Sequence, residues 1–325
     1  MAILDGTHQA ESFSLQNPEG SLCLSQGLEI ASRAVFVAQN PSHLTFTSNH
    51  PDLSNSGFFG DPPLSISEYC CTLKPTESMI RQISHRSATL GTTYQLFVQE
   101  VGNGGPRRLV VVLDGDDQFS FAVAAANSLA TSGSTPPLLL LGVGYGGGYR
   151  SPINKRGRDY TPSRMPDEPM ENGGAEAFHG FLANELLPWA ATQFEFVGGD
   201  VGITGNSLSG LFVLYALLRA RPVFRRGLAG SPSIWWDDRS ILRLIDAPLR
   251  ASGALSCRLF MCAGEDDSPS MATDLTLFSN KLTQAPRNLL AWTTDRFPGL
   301  DHYTALPSSF RSGLRWLFAD VVSGH

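Results

Sequence analysis

The sequence predicts an α/β fold with a mostly parallel central sheet and helices on both faces. From about residue 79, short apolar stretches alternate with segments of helical spacing, a pattern typical of right-handed βαβ units. The stretches RLVVVLDG and PPLLLLGVGYGGG each contain a continuous apolar run, which ends at Asp114-Gly115 in the first and at glycines in the second, as parallel strands buried on both faces do. Charged residues make up only 17% of the chain, which agrees with a doubly covered sheet that needs apolar residues on both faces.

The elements follow in order along the chain. Residues 39–66 collect Asn, Pro, Ser and Gly and predict a long loop. The first half of the α/β region predicts a strand in TTYQLFVQEV, a strand in RLVVVLDG, a helix ending at Gly133, a strand in PPLLLLGVG and a helix in AEAFHGFLANELLPWAATQ. The second half predicts strand, tight turn and helix in VGITGNSLSGLFVLYALL, strands in RRGLAGSPS, SCRLFMCAG and LLAWTTDRF, and helices in MATDLTLFSNKLTQ and TALPSSFRSGLRWLFADVV.

We expect a single domain over residues 1–325, with residues 1–75 as an N-terminal extension packed on it. Residues 144–175 form a long insertion between a strand and a helix, at the end of the sheet where active sites of parallel sheets lie. We therefore expect the insertion to form one wall of a pocket.

Composition excludes several classes of protein. The net charge of −6 over 325 residues argues against a nucleic-acid partner. Five cysteines without regular spacing predict neither a disulfide framework nor a zinc site. No apolar run is long enough for a membrane helix, and the N-terminus lacks the features of a signal peptide. We expect a soluble cytoplasmic protein with no membrane partner and no metal.

The strongest chemical signal is the stretch Gly205-Asn206-Ser207-Leu208-Ser209-Gly210, placed between a strand and an apolar helix. A serine nucleophile sits on such a sharp turn, where the positions two before and two after it must be small. Ser209 stands where the usual pattern has glycine. The alternative is a Gly/Ser turn that only links two elements.

A nucleophilic serine needs a base, and His302 is the histidine in the loop after the last predicted strand. Taken alone, His302 would be assigned to an ordinary surface loop, and its place downstream of the serine turn favours the catalytic base instead. The acid that orients the base is expected at the end of SCRLFMCAG, where we favour Asp267 and keep Glu265 as the alternative. Asp295 and Asp301 are further candidates.

An oxyanion hole requires two backbone N–H groups directed at one point. Leu208, directly after the serine, supplies one of them. The second is expected from Asp116, after Gly115 allows the chain to turn at the end of RLVVVLD. A metal site among the aspartates of this turn is the alternative, but no matching set of ligands lies near it in the sequence.

Four stretches together resemble the putative-esterase branch of the α/β-hydrolase superfamily. They are VVVLDGDDQF, RGRDYTPS with GGAEAFHGFLANELLP, GNSLSGLFVLYALL with FRRGLAGSPSIWW, and AGEDD with DH. The resemblance covers about residues 80–320 and is greatest to the enterobactin-type siderophore esterases. It implies an α/β-hydrolase fold, a nucleophile at Ser207, a base at His302, oxyanion amides at Asp116 and Leu208, and no cofactor. Some siderophore esterases of this branch resemble enzymes with a Ser–His dyad, in which the usual acid is misplaced. The identity of the acid therefore stays open here.

The insertion, the loop after GLAGSPS and the turn at Gly115 supply the predicted substrate contacts. Arginines of the insertion, Arg156 among them, could bind anionic or catechol oxygens with their planar guanidinium groups. For Arg158, pairing with a structural carboxylate is an equal alternative. Of the two adjacent tryptophans, we expect one to line the pocket and one to enter the core. The predicted substrate-binding residues are Gly115, Arg150, Arg158, Tyr160, Trp235 and Trp236.

The sequence thus predicts a serine esterase that cleaves a small-molecule ester through a Ser-His-Asp triad and an acyl-enzyme. The ester could be siderophore-like or otherwise bulky. Three alternatives stay open: an acyltransferase of the same fold with an alcohol acceptor, a thioesterase of the S-formylglutathione hydrolase type, and a catalytically dead hydrolase fold that only binds.

Overall fold

The computed structural model describes residues 11–15, 35–40, 43–48, 80–219, 222–250, 256–286 and 290–323. The chain divides into two compact units, Met1–Glu77 and Ser78–His325. The prediction that residues 1–75 pack on the remainder of the chain stays a prediction.

The first unit contains a three-stranded antiparallel sheet. Its strands are β1 (Glu11–Leu15), β2 (Val35–Asn40) and β3 (His43–Ser48), in the order β1-β3-β2. The prediction of a loop over residues 39–66 is therefore wrong at β3. The stretch HLTFTS alternates apolar and threonine residues, which favour a strand over the loop that its flanking Asn and Pro suggest.

The second unit is built on an eight-stranded sheet. Its strands are β4 (Arg81–Arg86), β5 (Thr93–Val101), β6 (Arg108–Leu113), β7 (Leu138–Gly144), β8 (Gly202–Asn206), β9 (Arg226–Gly230), β10 (Arg258–Gly264) and β11 (Ala291–Phe297). Their order is β11-β10-β9-β8-β6-β7-β5-β4. Strands β6 to β11 are parallel, whereas β4 and β5 run antiparallel at one edge. The predicted mostly parallel sheet is confirmed.

Helices connect these strands. They are α1 (Gly115–Thr131), α2 (Arg156–Tyr160), α3 (Ala175–Phe181), a π-helical segment (Leu182–Leu186), α4 (Leu187–Gln193), α5 (Leu208–Leu217), α6 (Trp236–Leu244), α7 (Asp246–Arg250), α8 (Pro269–Thr283), α9 (Leu306–Leu317) and α10 (Ala319–Val322). In the part of the chain that the structure describes, no helix combines the length and the apolar character needed to cross a membrane.

Apolar residues fill both faces of the sheet. Along β6, Leu109, Val111 and Leu113 belong to one buried cluster, which also includes apolar residues of α3, α5 and α8. Val110 and Val112 belong to a second cluster, which also includes residues of α1 and α9. Because alternate residues of a strand point to opposite faces, these two clusters lie on opposite sides of the sheet. The helices on both faces that the sequence predicts are confirmed.

Strand β4 and the short helices α2, α6 and α7 were not predicted from the sequence. The stretch RQISHR is mostly polar and its residues are exposed or half-buried, because β4 is an edge strand. Helix α2 lies inside the insertion that follows β7, and its five residues are too few to give a periodic signal.

Candidate active site

Ser207 occupies a strained turn between β8 and α5. Its φ of 65° and ψ of −122° place a non-glycine residue in a rarely populated backbone region. The turn is crowded, since a Cβ atom at Gly205 would lie 2.7 Å from the Cβ atom of Ser209. The sharp strand-to-helix turn that a nucleophilic serine requires is therefore present at the predicted position.

The structure also explains the serine at position 209, where glycine is usual. The Asn206 amide donates to Ser209 Oγ at 2.9 Å, and Ser209 Oγ lies 2.7 Å from Asp114 Oδ2. The hydroxyl thus links the turn at Ser207 to the end of β6. A glycine at this position would remove both contacts.

His302 and Asp267 form the second part of the site. His302 Nδ1 lies 3.0 Å from Asp267 Oδ2, within hydrogen-bond distance, and the Asp267 side chain is only 4% exposed. Glu265, the alternative acid, is exposed at the end of β10. The structure pairs the predicted base with Asp267, and the bond at Nδ1 leaves Nε2 to accept a proton.

Asp301, a further candidate for the acid, has a different role. Its Oδ1 accepts hydrogen bonds from the amides of Tyr303 and Thr304, both at 2.9 Å. These bonds, with one from the Thr304 hydroxyl, hold the pKa of Asp301 below its usual value. Asp301 therefore shapes the turn in which His302 lies.

The two predicted oxyanion amides lie in the first turns of two helices. Leu208 is the first residue of α5, and Asp116 is the second residue of α1. Amides of a first turn have no acceptor within their own helix and can bind an anion. The Asp116 carboxylate accepts from the amides of Tyr145 at 2.5 Å and Gly146 at 3.1 Å, which ties this turn to the end of β7.

Asp114 and Arg156 form a buried ion pair beneath this turn. Asp114 has a left-handed backbone conformation (φ 51°, ψ 45°) and a fully buried side chain. Its carboxylate accepts from Arg156 Nε at 3.0 Å and Nη2 at 2.9 Å. The nearby carboxylate raises the pKa of Arg156 above its usual value. The pair fastens the insertion to the end of β6, a role for Asp114 that sequence reasoning missed.

Three predicted substrate contacts turn out to be internal. Tyr160 is fully buried, and its hydroxyl accepts from the Asp114 amide at 3.1 Å. Trp236 is 1% exposed, and its indole N–H donates to the carbonyl of Ser163 at 2.9 Å. Gly115 is also buried at the start of α1. We correct these three predictions, because a side chain or backbone enclosed by protein supports the site rather than touching a substrate.

Arg158 pairs with a structural carboxylate, which is the alternative that the sequence left open. Its Nε lies 2.6 Å from Asp159 Oδ1, and its Nη2 donates to Thr92 at 3.0 Å. Asp159 is fully buried, and its Oδ2 also accepts from the hydroxyl of Tyr94 at 2.8 Å. Burial raises the pKa of Asp159, and the hydrogen bond and charge of Arg158 act against this rise. Arg158 therefore has a structural partner within the insertion.

Arg150 and Trp235 keep surface positions. Trp235 is 40% exposed, whereas its neighbour Trp236 is enclosed. Arg150 lines an open groove of about 430 Å³. The groove is lined by Asp117, Gly148, Tyr149, Arg150, Ser151 and Tyr303.

Tyr303 brings this groove next to the predicted base. It follows His302 in the chain, and the two rings lie 5.1 Å apart at an angle of 88°. The Tyr303 side chain is 64% exposed. Sequence reasoning missed this residue, although an aromatic residue directly after a predicted base is a signal that could have identified it.

Comparisons with known proteins identify the family of the chain. The profile of the family described as "Putative esterase" matches residues 87–296. The ferri-bacillibactin esterase BesA of Bacillus subtilis (strain 168) is 29% identical over 215 residues, which cover 60% of this chain and 71% of BesA.

Solved structures show the same fold. The BES protein from Bacillus cereus superposes with a TM-score of 0.67 at 25% identity, covering 81% of this chain and 99% of that one. The siderophore hydrolase EstB from Aspergillus nidulans gives a TM-score of 0.64 at 23% identity, with coverages of 80% and 98%. The chain belongs to the esterase family of α/β-hydrolase-fold carboxylic ester hydrolases.

Proposed function

We propose that the chain is a serine esterase in which Ser207, His302 and Asp267 act as a catalytic triad. The observation that supports this most directly is the strained backbone of Ser207, in a chain whose predicted base is hydrogen-bonded to a buried carboxylate. Strain of this kind is retained where a side chain must be held for chemistry.

In the proposed reaction, Ser207 Oγ attacks the ester carbonyl carbon while its proton passes to His302 Nε2. Asp267 holds the imidazole by its bond at Nδ1 and stabilises the imidazolium. The negative charge on the carbonyl oxygen is met by the amides of Asp116 and Leu208. When the tetrahedral intermediate collapses, the imidazolium protonates the leaving alcohol, and the acyl group stays on Ser207.

Hydrolysis of the acyl-enzyme completes the cycle. His302 takes a proton from water, the hydroxide attacks the acyl carbon, and the proton returns to Ser207 Oγ as the acid leaves. No step requires a cofactor.

We further propose that the substrate is a bulky, polar ester of the siderophore type. The relative BesA, described above, is named for such a substrate, ferri-bacillibactin. The groove beside His302 combines an exposed guanidinium at Arg150 with the rings of Tyr149 and Tyr303, which suits a large ester with oxygen-rich aromatic or chelating groups. The cytoplasmic location expected from the sequence stays a prediction.

Hydrolysis of p-nitrophenyl acetate tests the esterase activity. The wild-type protein should turn over the ester, and Ser207→Ala should lose at least about 1,000-fold in kcat. Ser279→Ala is the matched control, because its hydroxyl donates to a carbonyl of its own helix at 2.8 Å. Equal turnover by wild type and Ser207→Ala would refute the proposal.

A substrate panel tests the substrate class and separates the alternatives. We expect a ferric siderophore lactone to give a higher kcat/KM than short p-nitrophenyl esters or S-formylglutathione. A preference for S-formylglutathione would instead favour a thioesterase. An ester product formed with an added alcohol would favour an acyltransferase.

A further inference from the structure

A second hydroxyl lies beside the proposed nucleophile. Ser233, in the loop that follows β9, is 1% exposed. Its Oγ lies 3.3 Å from Ser207 Oγ, within hydrogen-bond distance. Neither the proposed triad nor the oxyanion amides give this contact between Ser233 and Ser207 a function.

The loop of Ser233 is fixed to the nucleophile turn by its backbone. The Ser233 amide donates to the Ser207 carbonyl at 3.0 Å, and the Ser207 amide donates to the Gly230 carbonyl at 3.0 Å. These bonds stabilise the turn without any atom of the Ser233 side chain. The hydroxyl can therefore be removed by substitution while the backbone contacts remain.

The surroundings of Ser233 indicate the direction of its hydrogen bond. A buried hydroxyl needs an acceptor for its proton. Within the described ranges of the chain, Ser207 Oγ is the acceptor that the structure gives to the Ser233 hydroxyl. With Ser233 as the donor, the proton of Ser207 is left for His302.

We propose that Ser233 is a further catalytic residue, whose hydroxyl donates to Ser207 Oγ and stabilises the negative charge that develops there. The inference rests on the proposed role of Ser207 as the nucleophile. As the Oγ–carbon bond forms, the proton of Ser207 moves to His302, and Ser233 keeps its own proton. In deacylation the same hydrogen bond stabilises Ser207 Oγ as the leaving group, because the two steps are the reverse of one another at this atom.

The first-order rate of labelling of Ser207 by a fluorophosphonate, at saturating probe, isolates the attack step. We expect Ser233→Ala to slow this rate about tenfold, as loss of one hydrogen bond to the reacting atom predicts. In ester hydrolysis kcat should fall by a similar factor, while KM changes less than about twofold because the groove is untouched. A structural role would instead change KM or the unfolding transition.

Two further variants make the result decisive. Ser309→Ala is the matched control, because Ser309 is also buried and donates to a carbonyl of its own helix at 2.8 Å. Ser233→Cys fills nearly the same volume with a weak donor and should also label slowly, which keeps the test available if the alanine variant does not fold.

Folded Ser233 variants that label at the wild-type rate would overturn the inference, as would a loss confined to KM. These outcomes leave the esterase proposal intact. In contrast, full hydrolytic activity in Ser207→Ala would refute the nucleophile itself.

Discussion

Removal of the Arg156 guanidinium should destabilise the protein strongly. In the Arg156→Met variant the fully buried Asp114 carboxylate loses two charge-assisted hydrogen bonds of 3.0 and 2.9 Å. The variant also loses the contact between the guanidinium and the Tyr149 ring, whose centre lies 4.7 Å from Arg156 Cζ. An unpaired buried charge costs about 3–5 kcal/mol.

The remaining neighbours of the Asp114 carboxylate place the expected cost at the lower end of this range. Ser209 Oγ and Gln118 Nε2 still lie 2.7 and 3.1 Å from Asp114 Oδ2, so the charge keeps two hydrogen-bonding partners. We therefore expect Arg156→Met to lower the free energy of unfolding by about 3 kcal/mol, roughly a 150-fold change in the unfolding equilibrium.

Urea unfolding followed by circular dichroism measures this change through the midpoint and the m-value. Lys155→Ala is the matched control, since Lys155 and Glu171 form an exposed pair 3.9 Å apart that should contribute less than about 0.5 kcal/mol. The double variant Asp114→Asn/Arg156→Met should recover part of the loss, because the uncompensated charge is gone. A loss below about 1 kcal/mol in Arg156→Met would contradict the assigned role of the Asp114–Arg156 pair.

Three other predictions address the site and the pH dependence of stability. Asp267→Asn should lower kcat at least about 100-fold, whereas Glu265→Gln should change it less than about twofold; a small effect in Asp267→Asn would favour a Ser–His dyad. Gly144→Ala should lower kcat about tenfold or more, because the added Cβ atom would lie 2.9 Å from the amide nitrogen of Asp116, a proposed oxyanion donor. Gly198→Ala is the control and should be neutral in the same assay, because its Cβ atom would enter open space. Burial lowers the pKa of His179 to about 4, so between pH 6.5 and 4 the unfolded chain binds more protons and stability falls as the pH falls. In urea unfolding at several pH values, His179→Phe should remove up to about 3 kcal/mol of this decrease, and identical pH profiles for variant and wild type would contradict the assignment.

The sequence was sufficient to predict the strands that precede the three residues of the proposed triad. Ser207, Asp267 and His302 come directly after or shortly beyond the strands β8, β10 and β11. Strand β10 is the most readable of the three, because its stretch LFMCA is continuous, apolar and bounded by Arg258 and Gly264.

The orientation of side chains within the insertion could not be predicted in this way. Tyr160 and Arg158 lie two positions apart in a five-residue helix, and both serve internal contacts with buried aspartates. No periodic pattern in so short an element distinguishes an inward from an outward side chain. The partnership of Asp114 with Arg156 spans 42 residues and depends on how the loop folds back over the sheet.

Detection of an acyl-enzyme on Ser207 is the most direct test of the proposed triad. Mass spectrometry of the protein quenched during turnover of a slowly deacylated p-nitrophenyl ester, followed by peptide mapping, would detect it. We predict that the peptide containing Ser207 gains the mass of the acyl group, and that the Ser207→Ala protein gains none. Turnover without an adduct on Ser207, combined with retained activity in Ser207→Ala, would contradict the proposed role of Ser207 as the nucleophile.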